Sequence, residues 1–511
     1  MEYALTKETC SVCETVFDGS TEQPIDLDLT LPDYCPDMDT ILKCYALPSV
    51  SSRSLSGDRL EIDGVVTVRV LYLDASKRVL RCSEHTMPFS CSFNLKTSVS
   101  DGAVATRLKV NYVNCRALTP RRLDIHGAFS VFATVKTRSE REFVASIEGD
   151  DIRQKHKSVS MSELCGFGQQ QFSVSETLDF GQGHTTPELI LNSDLHAYIS
   201  EFKAISGKLM LKGELVLDLL YITDLETGTQ ETMRFSVPLS RVIDVSGLEP
   251  DCKCIVNLEM LGFDTLLRGD YTEQTALVSL DARLAVTVCA YTERMISVVD
   301  DAYSVIYELE PVYKQLPLSK LILSDIFGFS EKSEVSLGHR ISKMIDLRSE
   351  GVNTLLSFDA DTYTVKGKIT CSILALDNDN IPFYAERTVD FQTTRPLSEV
   401  PSTPDGHITV DIAGLNYRIT GEDSIEIKVD FRINAEAFDS TLCKAVVSAS
   451  GNEDHRRTKD DHAALTLYYA DEGENLWEIA RAYCTSVEAV RLENDLPEDT
   501  ENIQGMILIP M

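Results

Sequence analysis

Leu60-Glu-Ile-Asp-Gly-Val-Val-Thr-Val-Arg-Val-Leu-Tyr72 occurs three times in this chain in recognisable form. The second copy is Leu209-Met-Leu-Lys-Gly-Glu-Leu-Val-Leu-Asp-Leu-Leu-Tyr221, and the third is Tyr363-Thr-Val-Lys-Gly-Lys-Ile-Thr-Cys-Ser-Ile-Leu-Ala375. Superposing Gly64, Gly213 and Gly367 keeps the apolar alternation in one phase. The face Leu60, Ile62, Val66, Val68, Val70 and Tyr72 maps onto Leu209, Leu211, Leu215, Leu217, Leu219 and Tyr221. A period of two over this length predicts a half-buried strand. Three copies predict one module built three times.

Each copy carries further strands. After turns at Asp74–Lys77, Thr223-Asp224 and Asp377–Asn380 come strands reaching Met87-Pro88-Phe89, Val237-Pro238-Leu239 and Val389-Asp390-Phe391. These pairs read as hairpins with Asp/Asn connections. A later alternating strand recurs as Leu123–Val131, Leu277–Ala285 and Ile425–Ile433. The starts also echo: Ser11-Val-Cys-Glu-Thr15 matches Ser173-Val-Ser-Glu-Thr177, with Ser333-Glu-Val as a worn third copy. Ser319–Phe327 fits either a short helix or a strand.

The chain has 511 residues, too many for one core, so several domains are expected. Its net charge of −32 opposes binding to phosphate backbones and anionic lipid. Arg121-Arg122 and His455-Arg456-Arg457 are too short to form a basic patch. No apolar run approaches membrane-helix length, and the start Met1-Glu-Tyr-Ala-Leu-Thr-Lys-Glu lacks a signal-peptide layout. A cytosolic protein is expected, without nucleic acid or membrane insertion. The 14 cysteines, many at apolar strand positions such as Cys289 and Cys371, read as reduced buried thiols. Cys10-x-x-Cys13 has no second pair to complete a zinc site, and Cys252-Lys-Cys254 reads as two same-face strand residues. Asp377-Asn-Asp-Asn380 lacks the glycine and distal glutamate of a calcium loop. No catalytic motif, metal site or cofactor site is recognised, and the scattered histidines, His126 among them, read as structural.

Ser448 to His462 breaks every periodicity and reads as a linker. Beyond it the pattern becomes strand, helix, helix, strand. Leu465, Leu467 and Tyr469 alternate, while Leu476, Ile479, Ala480 and Tyr483 share one helical face. Thr485-Ser-Val-Glu488 has capping-box spacing for a second helix, which Asn494 ends.

This tail resembles a LysM domain through Tyr469, Gly473, Leu476-Trp477-x-Ile479-Ala480, Tyr483, Thr485-Ser486-Val487, Asn494, Gly505 and Ile507-x-Ile509-Pro510. The resemblance implies a β-α-α-β fold and binding of N-acetylglucosamine polymers through two loops; with the altered loops and the acidity of this copy, protein docking is the other expectation. The residues it marks are Gly473, Glu474, Asn475, Leu476, Trp477, Glu498, Asp499, Asn502, Ile503, Gln504 and Gly505. The usual Gly-Asp-Thr/Ser and Pro-Gly-Gln stand here as Gly473-Glu474-Asn475 and Gln504-Gly505-Met506. Ten acidic residues face only Arg481 and Arg491.

Upstream, Leu31-Pro-Asp-Tyr-Cys-Pro-Asp-Met-Asp-Thr-Ile-Leu42, the glycine-centred strands and Asp301-Ala-Tyr-Ser304 followed by Tyr307-Glu-Leu-Glu310 resemble the SPOCS family of spore-coat-associated domains. The whole layout is similar to clostridial spore-coat morphogenetic proteins, which implies a non-enzymatic adaptor on the mother-cell side of the forespore. Its partners would be a coat morphogenetic ATPase (SpoIVA-like) and other coat proteins, with peptidoglycan binding as the alternative. The expected fold is mostly β: SPOCS-like repeats at 1–160, 161–315 and 316–447, a linker at 448–464, and a LysM domain at 465–511.

Overall fold

In the computed structural model residues 1–99, 101–181, 185–270, 275–457 and 465–510 are described. The chain is mostly β. A first module holds β1 (Leu5–Thr30), β2 (Met38–Asp74), β3 (Leu80–Val99), β4 (Gly102–Thr119) and β5 (Arg122–Ile147). A second holds β6 (Ile152–Asp179), β7 (Leu189–Ile205), β8 (Lys208–Asp224), β9 (Thr229–Asp244), β10 (Lys253–Asp270) and β11 (Thr275–Ser304). A third holds β12 (Tyr307–Ser336), β13 (Lys343–Asp359), β14 (Thr362–Leu376), β15 (Pro382–Pro396), β16 (Pro404–Ile419) and β17 (Ser424–Arg456).

Each module is a pair of antiparallel sheets. The large sheets run β1-β5-β4, β6-β11-β10 and β12-β17-β16, the same order each time. The small sheets are β2-β3, β7-β8-β9 and β13-β14-β15. β2 does the work of two strands: it folds back at Gly57, whose φ is 64°, and Ser52 Oγ donates to Asp63 across the fold. The inward faces of each pair close on a separate core. Leu60, Ile62, Val66, Val68 and Val70 face Leu123, Ile125 and Phe129 in the first. Leu209, Leu211, Leu215 and Leu217 face Leu280 and Leu284 in the second. Val365, Ile369, Cys371 and Ile373 face Ile427 and Phe431 in the third.

The recurring glycine is a close-approach position. A Cβ at Gly64, Gly213 or Gly367 would lie 2.3 Å from the carbonyl oxygen of Ser49, Tyr198 or Asn353 on the neighbouring strand. Phe89, Leu239 and Phe391 sit directly across, and the rings of Phe89 and Phe391 occupy the place of the missing side chain.

Each large sheet extends past its module as a two-stranded arm. The start of β1 pairs with the end of β5, that of β6 with β11, and that of β12 with β17. A lone two-stranded ribbon has too little core to stand by itself. The three arms therefore pack against one another. Cys10 and Phe143 meet Met161, Ile296 and Val298, and these meet Leu318, Cys443 and Ala445. Nearer the arm ends Tyr3, Val144 and Ile147 meet Ile152, Val299, Val446 and Ala449. The N-terminus closes this bundle: Tyr3 N donates to Ala449 O and Gly451 N to Met1 O. At the opposite end the small sheets meet through Leu71, Leu73, Leu191, Leu220, Ile345 and Leu374.

Several expectations shift. The strands change module at 148–151 and 305–306, about ten residues before the expected 160 and 315, because the arms belong to the module that follows. Residues 448–456, expected as linker, continue β17, where Ser448 pairs with Val312 and Asn452 with Glu308. Tyr3 packs against Gly451, where a Cβ would lie 3.1 Å from its ring. The remainder of that segment, 458–464, lies outside the described residues. Ser319–Phe327 is strand, within β12. Ser11 pairs with Glu140 in its arm, whereas Ser173 pairs with Arg283 in the body of its module, so the two starts are not equivalent. Asp377–Asn380 is a hairpin turn in which Asp377 Oδ1 accepts from Asp379 N and Ile381 N. Cys252 precedes β10, with its Sγ 2.9 Å from that of Cys165.

The second and third modules also share buried charge. His196 Nε2 lies 3.2 Å from Asp194, and Arg348 Nε 2.5 Å from Asp346, with Asp218 and Arg234 alongside. Asp411 is enclosed at the same junction, and burial pushes its carboxyl up to about 7, with nearby His196 opposing. A carboxyl raised this way favours the folded state most below about pH 4, its unfolded value. That contribution is lost as pH rises to about 7. Thermal unfolding followed from pH 4 to pH 8 should show a falling midpoint, and Asp411→Asn should flatten the slope. In the same assay at fixed pH, Gly213→Ala should destabilise by about 1–3 kcal/mol through backbone overlap. Gly351→Ala, with nothing within 4 Å, should stay within about 0.5 kcal/mol of the parent.

Candidate functional site

The tail comprises β18 (Leu465–Asn475), α1 (Leu476–Ala482), α2 (Val487–Glu493) and β19 (Asn502–Pro510). β18 and β19 pair antiparallel, and the helices cover one face of that sheet. Asn475 caps α1 by accepting from Trp477 N, and Ser486 caps α2 by accepting from Ala489 N. The second cap is thus Ser486; Thr485 is buried and used otherwise. Asn494 fixes α2 to β19: its Oδ1 accepts from Leu508 N and its Nδ2 donates to Leu508 O.

The tail is seated on the arms. Trp477 Nε1 donates to Asp301 Oδ2 at 2.9 Å, and Arg481 pairs with the same oxygen. Tyr313 donates to Asp301 Oδ1 at 2.6 Å. Tyr303 stands edge-on to Trp477 at 4.8 Å between centroids, and its hydroxyl donates to Thr485 O. Burial alone would raise the Asp301 carboxyl, but the donors Tyr313 and Trp477 and the Arg481 cation hold it below its ordinary range. Ser304, the last residue of the same tetrapeptide, donates to Asp151 at the boundary between the first two modules. The sequence marks Asp301-Ala-Tyr-Ser304 only as a family likeness; nothing in its spacing says that it receives the tail.

The expected site residues divide into three groups. Leu476 is 1% exposed and Ile503 is buried beside it, so both are packing residues of the tail interior. Trp477 is half-buried and faces Asp301 rather than solvent. The loops hold the rest. Glu474 pairs with Ile503 and Asn475 with Asn502, which brings the two loops side by side. Gly473 and Gly505 take positive φ of 80° and 92°. Gly473, Glu498, Asp499, Asn502 and Gln504 are exposed and Gly505 is partly so. Glu474 folds back to accept from Tyr468 OH at 2.6 Å.

The uncovered face of the sheet is apolar, and this was not read from the sequence. Leu465, Leu467 and Tyr469 alternate along β18 at 43%, 65% and 75% exposure, and Met506, opposite Tyr469, is 64% exposed. Asp471 and Glu472 stand exposed at the end of this stripe. The alternation was visible, but a period of two does not say which face is covered.

A family model described as SipL, SPOCS domain matches residues 37–118 and 187–265. These segments run from β2 to β4 and from β7 into β10, the small sheet plus the edge strand of the large one, in each of the first two modules. No curated protein and no solved structure matches the chain. Two of the three sheet pairs thus carry a match to the SPOCS domain, which suggests a sporulation-related protein. The chain is SipL-like, with SPOCS repeats.

The seat of the tail is open to a direct check, since Trp477 is the only tryptophan. Asp301→Ala removes a charged acceptor and should weaken the seat by about 2 kcal/mol. Fluorescence excited at 295 nm should shift to the red. A depressed carboxyl contributes above its unfolded value and is lost as pH falls through the folded one, so the parent should show the same shift only below about pH 4.

Proposed function

We propose that this protein is a non-enzymatic scaffold in endospore coat assembly. The third sheet pair is a further SPOCS repeat and the tail a LysM domain. The repeats form a stiff body, and the tail offers its uncovered face to a coat morphogenetic ATPase of the SpoIVA type on the mother-cell side of the forespore. The SPOCS match supports the sporulation setting. The observation that carries the docking reading is the stripe Leu465, Leu467, Tyr469 and Met506, an exposed apolar ladder with acids at its end. Large exposed apolar patches mark interaction sites. The seat on Asp301 supports the same reading: Trp477 is turned inward, while the stripe stays exposed on the opposite side of the sheet from the helices.

A second reading has its own support. The two loops that LysM domains use for N-acetylglucosamine polymers lie side by side here, each with a glycine at positive φ.

Binding of the full chain to the purified SpoIVA-like ATPase, followed by interferometry, distinguishes them. Leu467→Glu with Tyr469→Ala should lower affinity at least tenfold while the circular dichroism is unchanged. Binding that ignores those substitutions removes the stripe from the reading. Binding to N-acetylglucosamine oligomers, with none to the ATPase, would establish the second reading instead.

A further inference from the structure

The junctions between modules follow one rule, and among the described residues the outer faces of the first and third modules stand without such a junction. At the first junction, the outer face of the second large sheet covers the edge of the first module. Gln169 Nε2 donates to Val104 O, and Val104 N donates to Gln169 Oε1. Arg283 Nη1 donates to Ser51 O, and Glu259 pairs with Arg53, whose side chain is only 2% exposed. At the second junction the third large sheet does the same to the second module. Ser324 Oγ donates to Cys254 O, Asn434 Nδ2 to Val256 O, and Arg432 lies over the Tyr198 ring.

The ladders show that these are equivalent places. Each edge strand has a bulge, at Val110/Tyr112, Met260/Gly262 and Ile412/Gly414. Counted from it, Val104 pairs with Val135, Cys254 with Ala290 and Gly406 with Ala437 in one register. Among the described residues nothing from another module bonds to Gly406. Asn353, Leu355 and Gly406 are exposed, Leu355 at 55%. On the first large sheet, the face equivalent to the covering ones meets no other module among the described residues. Glu259 pairs across its ladder with Ala285, Asp411 with Arg432, and Lys109 with Ser130. Lys109 is exposed, and among the described residues it has no ion-pair partner.

Charge at the open ends is exchanged relative to the filled junctions. The covering faces of the second and third modules carry acids here, Glu259 and Asp411, and the first module receives its acid with Arg53. The free covering face carries Lys109, and the free edge carries exposed Asp405 next to Gly406. A surface that fits the next module, left free at one end with its counterpart free at the other, is a heterologous interface, and such contacts build open chains unless the rotation closes.

We propose that the free edge of the third module, Asn353–Leu355 with Asp405–Ile408, receives the first large sheet of a second copy of this chain, with Lys109 facing Asp405, so that copies join head to tail. The proposal does not depend on what the tail binds. Solvation of the end faces by polar residues, as in terminal caps of repeat proteins, is the competing account.

The test is sedimentation velocity of the full chain across the micromolar range at low salt. The parent should form a concentration-dependent series of species at successive multiples of the chain mass. Leu355→Glu and Lys109→Asp should each reduce the parent to monomer, with unchanged circular dichroism and thermal midpoint. The double exchange Lys109→Asp with Asp405→Lys should restore the series. A parent that stays monomeric, a closed dimer, association indifferent to both single substitutions, or failure of the double exchange would each overturn the proposal.

Discussion

The packing of three two-stranded arms on one another is the constraint from which the other features follow. Each arm is too thin to bury both of its faces, yet Val298, Phe143 and Leu318 are almost wholly withdrawn from water because each arm supplies a wall for the other two. This fixes how the modules face one another. It sets the N-terminus against Gly451, and it forms the platform of Asp301, Tyr303 and Tyr313 on which the tail sits. A module could be drawn with its own core intact and its arm free, but that arm would present an unpaired apolar ribbon to solvent.

Within this frame the modules keep a common skeleton and differ in what their outer faces carry. The inward faces vary little: branched aliphatic residues, with a phenylalanine or leucine paired across from the glycine. Junction residues vary freely. One junction uses the shielded pair of Arg53 and Glu259, another uses Asn434 and the Arg432–Tyr198 stack, and the contact between the first and third modules uses Lys43 with Glu350 and Glu386. Core positions answer to a sheet geometry that recurs, whereas each junction has a different neighbour and an acidic chain must find a partner for each charge it shields. The resulting body has charged joints and apolar cores.

Much of the architecture was legible because period-two patterning survives in strands with one buried face. Gly64, Gly213 and Gly367, the residues across from them, and the strands at Leu123, Leu277 and Ile425 could be aligned without any structure. The tail's order of strand, helix, helix, strand was legible for the same reason, from its change of period at Leu476. The echo of Ser11 with Ser173 misled, since short polar motifs recur by chance while ladders do not. Ser448–Arg456 misled in the other direction: small and charged residues read as linker in isolation, yet strand pairing needs only backbone, and β12 supplies it.

The candidate site was legible in its residues and not in their use. Local pattern determined that the chain is mostly β, that its modules repeat, and that the tail differs from them, because each of those facts depends on residues a few positions apart. Tertiary structure alone decided that Trp477 turns toward Asp301, that Leu476 and Ile503 are interior, that the β18 stripe is left uncovered, and that the arms share a core. The seat of Trp477 and the shared core of the arms depend on contacts between residues more than a hundred positions apart, such as Asp301 with Arg481 or Tyr3 with Ala449. No periodicity records which of two faces the rest of the molecule will cover.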